Sequence, residues 1–154
     1  MQSGSPANLA PGERRPLHRT TRTALACAAG LVVFLVLDLI WLGLVARGIY
    51  LDAIGHLMAP APHVPAVLLF YLLFPLFLAW FALINAPDRD NAWPVGLRGA
   101  LFGLVTYGTY ELTNWATLRD WPGTIVAIDI GWGTVLSAVS AMAASVAWQL
   151  MRPR

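Results

Sequence analysis

Four long runs of hydrophobic residues divide the chain, and short polar stretches separate them. The runs cover residues 24–46, 64–85, 95–117 and 124–151. At ~1.5 Å per residue, each run is long enough as an α-helix to cross a hydrocarbon layer ~30 Å thick. The pattern therefore predicts an all-α membrane protein, with residues 23–154 folded as an antiparallel bundle of four transmembrane helices.

The polar stretches predict how the helices are connected. Residues 1–22 are rich in Pro, Gly, Ser and Arg and carry few large apolar side chains, which predicts a disordered N-terminal tail. Residues 49–58 are predicted to form a short helix at the membrane interface. The connection LRDWPG is short enough for a tight turn, so the third and fourth runs should be antiparallel neighbours.

Arginine placement predicts the orientation of the bundle. The ten basic residues are all arginines at the ends of apolar runs, with none expected inside a span. Only Arg47 and Arg119 lie in the first and third connections. The others lie in the N-terminal tail, the second connection and the C-terminus: Arg14, Arg15, Arg19, Arg22, Arg89, Arg98, Arg152 and Arg154. Because cytoplasmic segments are enriched in arginine, both termini are predicted to be cytoplasmic.

Composition agrees with a lipid environment and excludes several functions. Hydrophobic residues make up 58% of the chain and charged residues only 12%, against about 25% charged residues in soluble domains. The basic residues form no stripe interleaved with aromatic side chains, so no nucleic-acid partner is predicted. The single Cys27 lies inside an apolar run, which excludes an internal disulfide and a cysteine-rich metal site.

Three carboxylates interrupt the apolar runs at similar depths. Counting inward from the outer boundary at ~1.5 Å per residue places Asp38 ~12 Å deep, Glu111 ~9 Å deep and Asp129 ~8 Å deep. A charged side chain near the centre of a spanning helix costs ~2.5 to 3.5 kcal/mol on insertion scales. We therefore expect all three acids to face the interior of the bundle and to find partners there.

Helical periodicity supports this inward placement. At 100° per residue, the small and polar side chains of the third run share one arc of ~120°. They are Gly99, Gly103, Tyr107, Tyr110, Glu111, Asn114 and Thr117. The two glycines form a G-x-x-x-G motif, and Asp129 shares a face with Gly133 and Ser140, so these stripes predict close helix packing. They also predict that the protein forms a homo-oligomer.

The acids have no lysine to pair with, since the chain contains none. Shared protons, hydrogen bonds from tyrosine or asparagine, or a bound cation must neutralise them. Two D-x-x-W motifs, on helices that run in opposite directions, add tryptophans beside two of the acids. They indicate an inverted repeat, a shared packing solution or coincidence. The predicted ligand-binding or proton-binding residues are Asp38, Glu111, Asn114, Asp129, Tyr71, Tyr107, Tyr110, Trp41 and Trp132.

No metal site or cofactor is predicted. Asp52, His56 and His63 in the first connection lack a recognised ligand spacing, and the sequence does not decide whether the two histidines take part in the site. The E-x-x-H pairs of di-iron bundles are absent, because Trp41, Asn114 and Trp132 occupy the third position after each acid. No G-x-S-x-G or Walker motif occurs.

Several blocks of the chain resemble a known family. DLIWLG from Asp38, DIGWG from Asp129, and above all GALFGLVTYGTYELTNWATLRDWP over residues 99–122 are similar to a bacterial family of predicted membrane proteins, domain of unknown function 2177. The likeness covers about residues 24–150. Glu111 stands where that family usually carries Asp, and Pro75 where it carries Gly. The resemblance implies a four-helix inner-membrane protein and supplies no activity.

Three functions fit these features. The acids bind a small polar or cationic ligand, a lipid head group or protons, with the protein acting as a carrier or accessory subunit. Alternatively, they perform acid-base chemistry on a lipid or isoprenoid in a membrane-embedded enzyme. In the third alternative the acids only clamp helices together in a structural or assembly protein.

Overall fold

The computed structural model describes residues 18–84 and 91–152, and this part of the chain is helical without any strand. Its α-helices are α1 (Arg19–Ile40), α2 (Arg47–Ile54), α3 (Val64–Ile84), α4 (Ala92–Thr117) and α5 (Gly123–Leu150). A π-helical turn (Trp41–Val45) continues α1, and a 3₁₀ turn (Gly55–Leu57) follows α2. The all-α prediction is confirmed for the described residues, and α2 lies where a short helix was expected.

Three helical segments in the described part of the chain are long and apolar enough to cross a membrane: Arg19–Val45, Val64–Ile84 and Gly123–Leu150. The fourth predicted span, α4, is not among them, because its second half carries threonine, tyrosine, glutamate and asparagine. Large apolar side chains cover the outside of the molecule, and Leu44, for example, is 79% exposed. Such a surface is suited to lipid rather than to water.

Helix α1 begins earlier than the sequence pattern predicted. Residues 19–22, assigned to the disordered tail, are helical, and Arg22 donates a 2.7 Å hydrogen bond from Nε to the Trp148 carbonyl. That carbonyl lies in the last turn of α5, where backbone acceptors lack helical donors. The Arg22 guanidinium also lies 4.0 Å from the centre of the Trp148 ring. Residues 1–17, Asn85, Arg89 and Arg154, which entered the sequence predictions, lie outside the described residues.

Arg98 is a correction to the predicted arginine pattern. It was counted with the second connection, although it falls within the predicted run 95–117. It lies in the second turn of α4, half-buried, with its guanidinium 5.2 Å from the centre of the Phe81 ring on α3. The reason is an early helix start: the Asn91 side chain accepts a 3.1 Å hydrogen bond from the Trp93 amide and caps α4. The long aliphatic stem of arginine makes this position tolerable near a membrane boundary.

Helices α1 and α5 run in opposite directions along a shared interface. Arg22 meets Trp148 at one end, and Asp38 meets Trp132 at the other. Between these contacts, Gly30 approaches α5 so closely that an added Cβ would lie 3.0 Å from the Ser140 carbonyl oxygen. Phe34, fully buried, also packs against α3, where its ring lies 5.4 Å from that of Phe74.

The α4–α5 pair forms the most extensive helix contact in the described structure. A Cβ added at Gly99 would lie 2.5 Å from the Ser137 carbonyl oxygen, and one added at Gly103 would overlap the Gly133 carbonyl oxygen. The close approach predicted from G-x-x-x-G is therefore confirmed. Because this glycine stripe packs against α5 of the same chain, it is not available to a second copy. The homo-oligomer stays a prediction, without support from this motif.

The π-helical turn redirects the chain after Asp38. The Ala46 amide donates a 2.8 Å hydrogen bond to the Trp41 carbonyl five residues earlier, which widens the turn. As a result, Val45 is exposed, although a regular helix would place it on the same face as Asp38 seven residues earlier, whereas Ala46 and Tyr50 are buried. The turn thus directs the Tyr50 side chain of α2 toward the interior.

Candidate functional site

Asp38 of α1 is held by donors from two other helices. Its side chain is 4% exposed. The Tyr71 hydroxyl of α3 donates to Oδ2 at 2.9 Å, and the Trp132 indole of α5 donates from Nε1 to Oδ1 at 3.0 Å. Both carboxylate oxygens therefore accept a hydrogen bond from a neutral group.

Asp129 of α5 has a similar arrangement. Its Oδ1 accepts a hydrogen bond from the hydroxyl of the buried Tyr50 on α2. The Trp41 indole lies 3.4 Å from that hydroxyl and donates to it from Nε1. The donor to Asp129, like the two to Asp38, is neutral, so these hydrogen bonds cancel no negative charge.

The two D-x-x-W motifs meet and exchange partners. The rings of Trp41 and Trp132 are stacked, with centroids 4.3 Å apart and planes 8° from parallel. Trp132, three residues after Asp129, donates to Asp38 of the other motif. Trp41, three residues after Asp38, reaches Asp129 through the Tyr50 hydroxyl. Each aspartate therefore accepts a hydrogen bond from one tyrosine, and the tryptophan of the opposite motif contacts it either directly or through that tyrosine.

Asp38 and Asp129 open into the same cleft. It has a volume of about 410 Å³ and lies among α1, α2, α3, α4 and α5. Apart from the two acids, the lining side chains are aromatic or aliphatic: Leu42, Tyr50, Ala66, Val67, Phe70, Tyr71, Tyr107 and Trp132. Among these described lining residues there is no arginine or histidine. The cleft thus combines two carboxylates with an aromatic wall.

Glu111 does not line this cleft. It is fully buried on α4, and its Oε2 accepts a 2.9 Å hydrogen bond from the Trp121 indole in the connection to α5. Its Oε1 is buried without a hydrogen-bond partner. Trp121 packs against the cluster of Ala46, Tyr50 and Ile125.

The remaining predicted site residues on α4 are divided. Tyr107 lines the cleft, and its ring is perpendicular to that of Phe74 at 5.9 Å. Tyr110 is 58% exposed and lies edge-on to Trp121 instead. Asn114 is half-buried, and its backbone carbonyl accepts a 2.8 Å bond from the Leu118 amide at the end of α4. Neither Tyr110 nor Asn114 lines the cleft.

An apolar groove of about 490 Å³ adjoins the cleft on the α3–α4 side. Its lining residues are Phe70, Phe74, Thr106, Tyr107 and Tyr110. Phe70 and Tyr107 line both spaces, so the groove continues from the aromatic wall of the cleft. The Thr106 hydroxyl donates to the Phe102 carbonyl of its own helix at 2.8 Å, which leaves the groove with an almost wholly apolar surface.

Sequence reasoning missed two partners of the acids, Tyr50 and Trp121. The tight turn after Glu111 was a usable signal for Trp121, because a short connection returns the chain to the end of α4. Asp120 in this turn has φ of 60°, a left-handed conformation that aspartate tolerates better than most residues. Tyr50 had no such signal, because its inward direction depends on the π-helical turn.

The histidines of the first connection lie away from the acids. His56 and His63 are exposed and do not line the cleft. In residues 18–84 and 91–152, no group of three or more histidine, cysteine, aspartate or glutamate side chains is placed to hold a metal ion. The two aspartates alone are a poor transition-metal site, because such sites usually draw on imidazole or thiolate ligands.

Comparison with known proteins gives one match. The family model described as "Predicted membrane protein (DUF2177)" matches residues 23–146. This range includes both D-x-x-W motifs and Glu111, and it ends near the contact between Arg22 and Trp148. No curated protein and no solved structure matches the chain.

Proposed function

The chain belongs to the DUF2177 family of predicted membrane proteins, and we propose that it binds a small ligand with an ammonium group in the cleft. The observation that carries the proposal is the pairing of Asp38 and Asp129 in one cleft whose other described lining residues carry no positive charge. Two carboxylates in a poorly solvated space repel each other, so a cation between them relieves that repulsion.

The aromatic wall favours an ammonium group over a bare metal ion. Trp132, Tyr71, Tyr107 and Phe70 line the cleft, and aromatic faces attract quaternary and primary ammonium groups within about 6 Å of the ring. Hydrogen bonds from Tyr71 and Trp132 fix the Asp38 carboxylate before any ligand arrives. Preorganisation of this kind lowers the cost of binding. The role that follows is that of a carrier or accessory subunit.

The first prediction concerns tetramethylammonium, which has the charge and shape of the proposed group. We expect it to raise the thermal unfolding temperature of the full chain purified in dodecyl maltoside micelles, because a ligand that binds only the folded state stabilises it. Asp38→Asn and Asp129→Asn should each weaken binding about tenfold or more, a loss of about 1.4 kcal/mol. Asparagine retains one carbonyl acceptor, which favours folding of both variants.

Asp52→Asn is the matched control, because Asp52 is an exposed acid on the same helix as Tyr50 and does not line the cleft. It should bind tetramethylammonium as the wild type does. Equal affinities of the Asp38, Asp129 and Asp52 variants would contradict the proposal, as would a wild type with no thermal shift. Formation of a new lipid product in membranes, lost in Asp38→Asn, would favour the enzyme alternative.

The clamp is a second candidate, favoured by one observation: Asp38 of α1 joins α3 and α5 through Tyr71 and Trp132. A clamp predicts that Asp38→Asn lowers the unfolding temperature while tetramethylammonium has no effect on any variant. The ligand-binding role predicts the ligand-dependent shift. One titration of wild type and Asp38→Asn therefore separates the two functions.

We also propose that α4 crosses the bilayer, giving four spans with both termini in the cytoplasm of the bacterial inner membrane. Its one acid, Glu111, is no obstacle, because it is buried against the rest of the protein, as are Gly99 and Gly103, while Leu101 and Val105 face outward. The length of 26 residues is sufficient for a ~30 Å layer. The arginine-rich ends of the chain support the cytoplasmic placement of the termini.

The second prediction tests this topology by cysteine labelling in a Cys27→Ala background. In intact cells, a membrane-impermeant maleimide should label Asp52→Cys and Arg119→Cys, because both are placed on the outer side. Asn91→Cys at the other end of α4 should react only after the membrane is permeabilised. Labelling of Asn91→Cys and Arg119→Cys from the same side would show that α4 does not cross.

A further inference from the structure

The groove beside the cleft narrows the class of ligand. Phe70 and Tyr107 line both spaces, so a molecule with its charged end between Asp38 and Asp129 has an apolar path leading out of the cleft. The groove carries apolar and aromatic side chains from α3 and α4, with the Thr106 hydroxyl turned back to its own helix. Together the cleft and the groove offer a charged site beside an apolar surface, which is complementary to an amphiphile with a charged head and a hydrocarbon tail.

We propose that the ligand is a cationic amphiphile, with its ammonium group between Asp38 and Asp129 and its hydrocarbon chain in the groove of Phe70, Phe74, Thr106, Tyr107 and Tyr110. This inference rests on the proposed function for the ammonium group and adds the hydrocarbon tail of the ligand. Charge complementarity selects the head, because the described lining of the cleft carries two acids and no base. The apolar surface that continues from the cleft selects the tail.

The position of the groove indicates how such a ligand enters. Tyr110, which lines the groove but not the cleft, is 58% exposed on α4. A hydrocarbon tail lying beside Tyr110 is therefore in contact with the bilayer while the ammonium head remains in the cleft. The ligand can move sideways from the membrane without crossing the aqueous boundary. A water-soluble ammonium ion, in contrast, occupies the cleft alone and makes no use of the groove.

The third prediction compares two ligands and a pair of neighbouring variants. Tetramethylammonium has no chain, whereas dodecyltrimethylammonium has the same head with a hydrocarbon tail. Thr106→Phe places a ring in the groove without altering a residue that lines the cleft. Val105→Phe is the matched control, because Val105 is exposed on the same helix and lines neither space.

Affinities are measured by thermal shift in dodecyl maltoside micelles at one fixed detergent concentration. The micelle concentrates dodecyltrimethylammonium equally for every variant. A difference in affinity between variants therefore reports the contribution of the groove. We expect Thr106→Phe to weaken dodecyltrimethylammonium about tenfold relative to Val105→Phe, while both variants bind tetramethylammonium as the wild type does. Thr106→Leu replaces Thr106→Phe if the larger side chain prevents folding.

Two results would overturn the inference: equal affinities of Thr106→Phe and Val105→Phe for the chain-bearing ligand, or a comparable loss of both ligands in Thr106→Phe. Failure of the proposed function has a different signature. In that case Asp38→Asn binds both ligands as tightly as the wild type, whatever the groove variants do.

Discussion

Replacing Gly103 by alanine should destabilise the protein by about 3 kcal/mol or more, because a single methyl group has no space at this position. The added Cβ would overlap the backbone carbonyl oxygen of Gly133 and lie 2.6 Å from the Ser137 hydroxyl oxygen. A backbone atom cannot move aside as the end of a flexible side chain can. The two helices must separate along their closest contact, and the cleft residues on α4 and α5 move with them.

Gly108→Ala is the matched control for this experiment. Gly108 lies on the same helix, five residues further along, and a Cβ there meets no other atom within 4 Å. Because alanine is favoured over glycine in helices by about 1 kcal/mol, this variant should be as stable as the wild type or more stable. Thermal unfolding in detergent micelles, with size-exclusion profiles, measures both changes. Similar unfolding temperatures for the two variants would refute the close α4–α5 contact.

This contact was predictable from sequence because it depends on local spacing alone. Two small residues four positions apart lie on one face of a helix, and small faces permit backbone approach. The same 100° periodicity correctly placed Gly99, Gly103 and Glu111 inside. Tyr110 was predicted to face inward but is 58% exposed, although 100° per residue places it between the buried Gly99 and Gly103, so periodicity alone did not place every member of the arc.

The composition of the cleft could not be derived in the same way. Counting residues along a helix gives depth in the membrane but does not say on which side of the bundle a side chain lies. Asp38, Glu111 and Asp129 were therefore predicted to meet, whereas the structure joins Asp38 and Asp129 in one cleft and gives Glu111 a separate partner. Tyr50 was missed because the π-helical turn that directs it arises from tertiary packing and has no signature in composition.

The exchange of partners between the D-x-x-W motifs gives them a physical role. The two tryptophan rings stack on each other. Trp132 donates a hydrogen bond directly to Asp38, and Trp41 donates to the Tyr50 hydroxyl, which in turn donates to Asp129. A displacement of either ring therefore disturbs both acids. Because the motifs lie on α1 and α5, this exchange also fixes the separation of the two helices at the cleft.

Replacing Trp121 by phenylalanine should cost about 2 to 3 kcal/mol, although an aromatic ring is kept at this position. The indole supplies the hydrogen bond to Glu111, whose other oxygen is already buried without a partner. Without it, the fully buried carboxyl group would have no partner in the described contacts, and such a group costs more than an ordinary lost hydrogen bond. Thermal or denaturant unfolding in micelles measures the loss.

A double-mutant cycle assigns the loss to the hydrogen bond. Glu111→Leu alone leaves the indole N–H without its acceptor and should cost about 1 to 3 kcal/mol. Glu111→Leu combined with Trp121→Phe leaves no polar group at this position, so its cost should fall about 1 to 2 kcal/mol below the sum of the single variants. Additive costs would show that the pair contributes no coupling and that Trp121 acts through packing alone.

A different pair of variants tests whether Glu111 takes part in ligand binding. Because Glu111 does not line the cleft, Glu111→Gln, which retains a carbonyl acceptor for the indole, should fold and bind tetramethylammonium with wild-type affinity. Asp38→Asn should lose that affinity at comparable stability. A tenfold loss of tetramethylammonium binding in Glu111→Gln would instead join all three acids in one site, as their common depth in the membrane first indicated. The comparison thus decides whether Glu111 stabilises the helices around the cleft or takes part in binding the ligand.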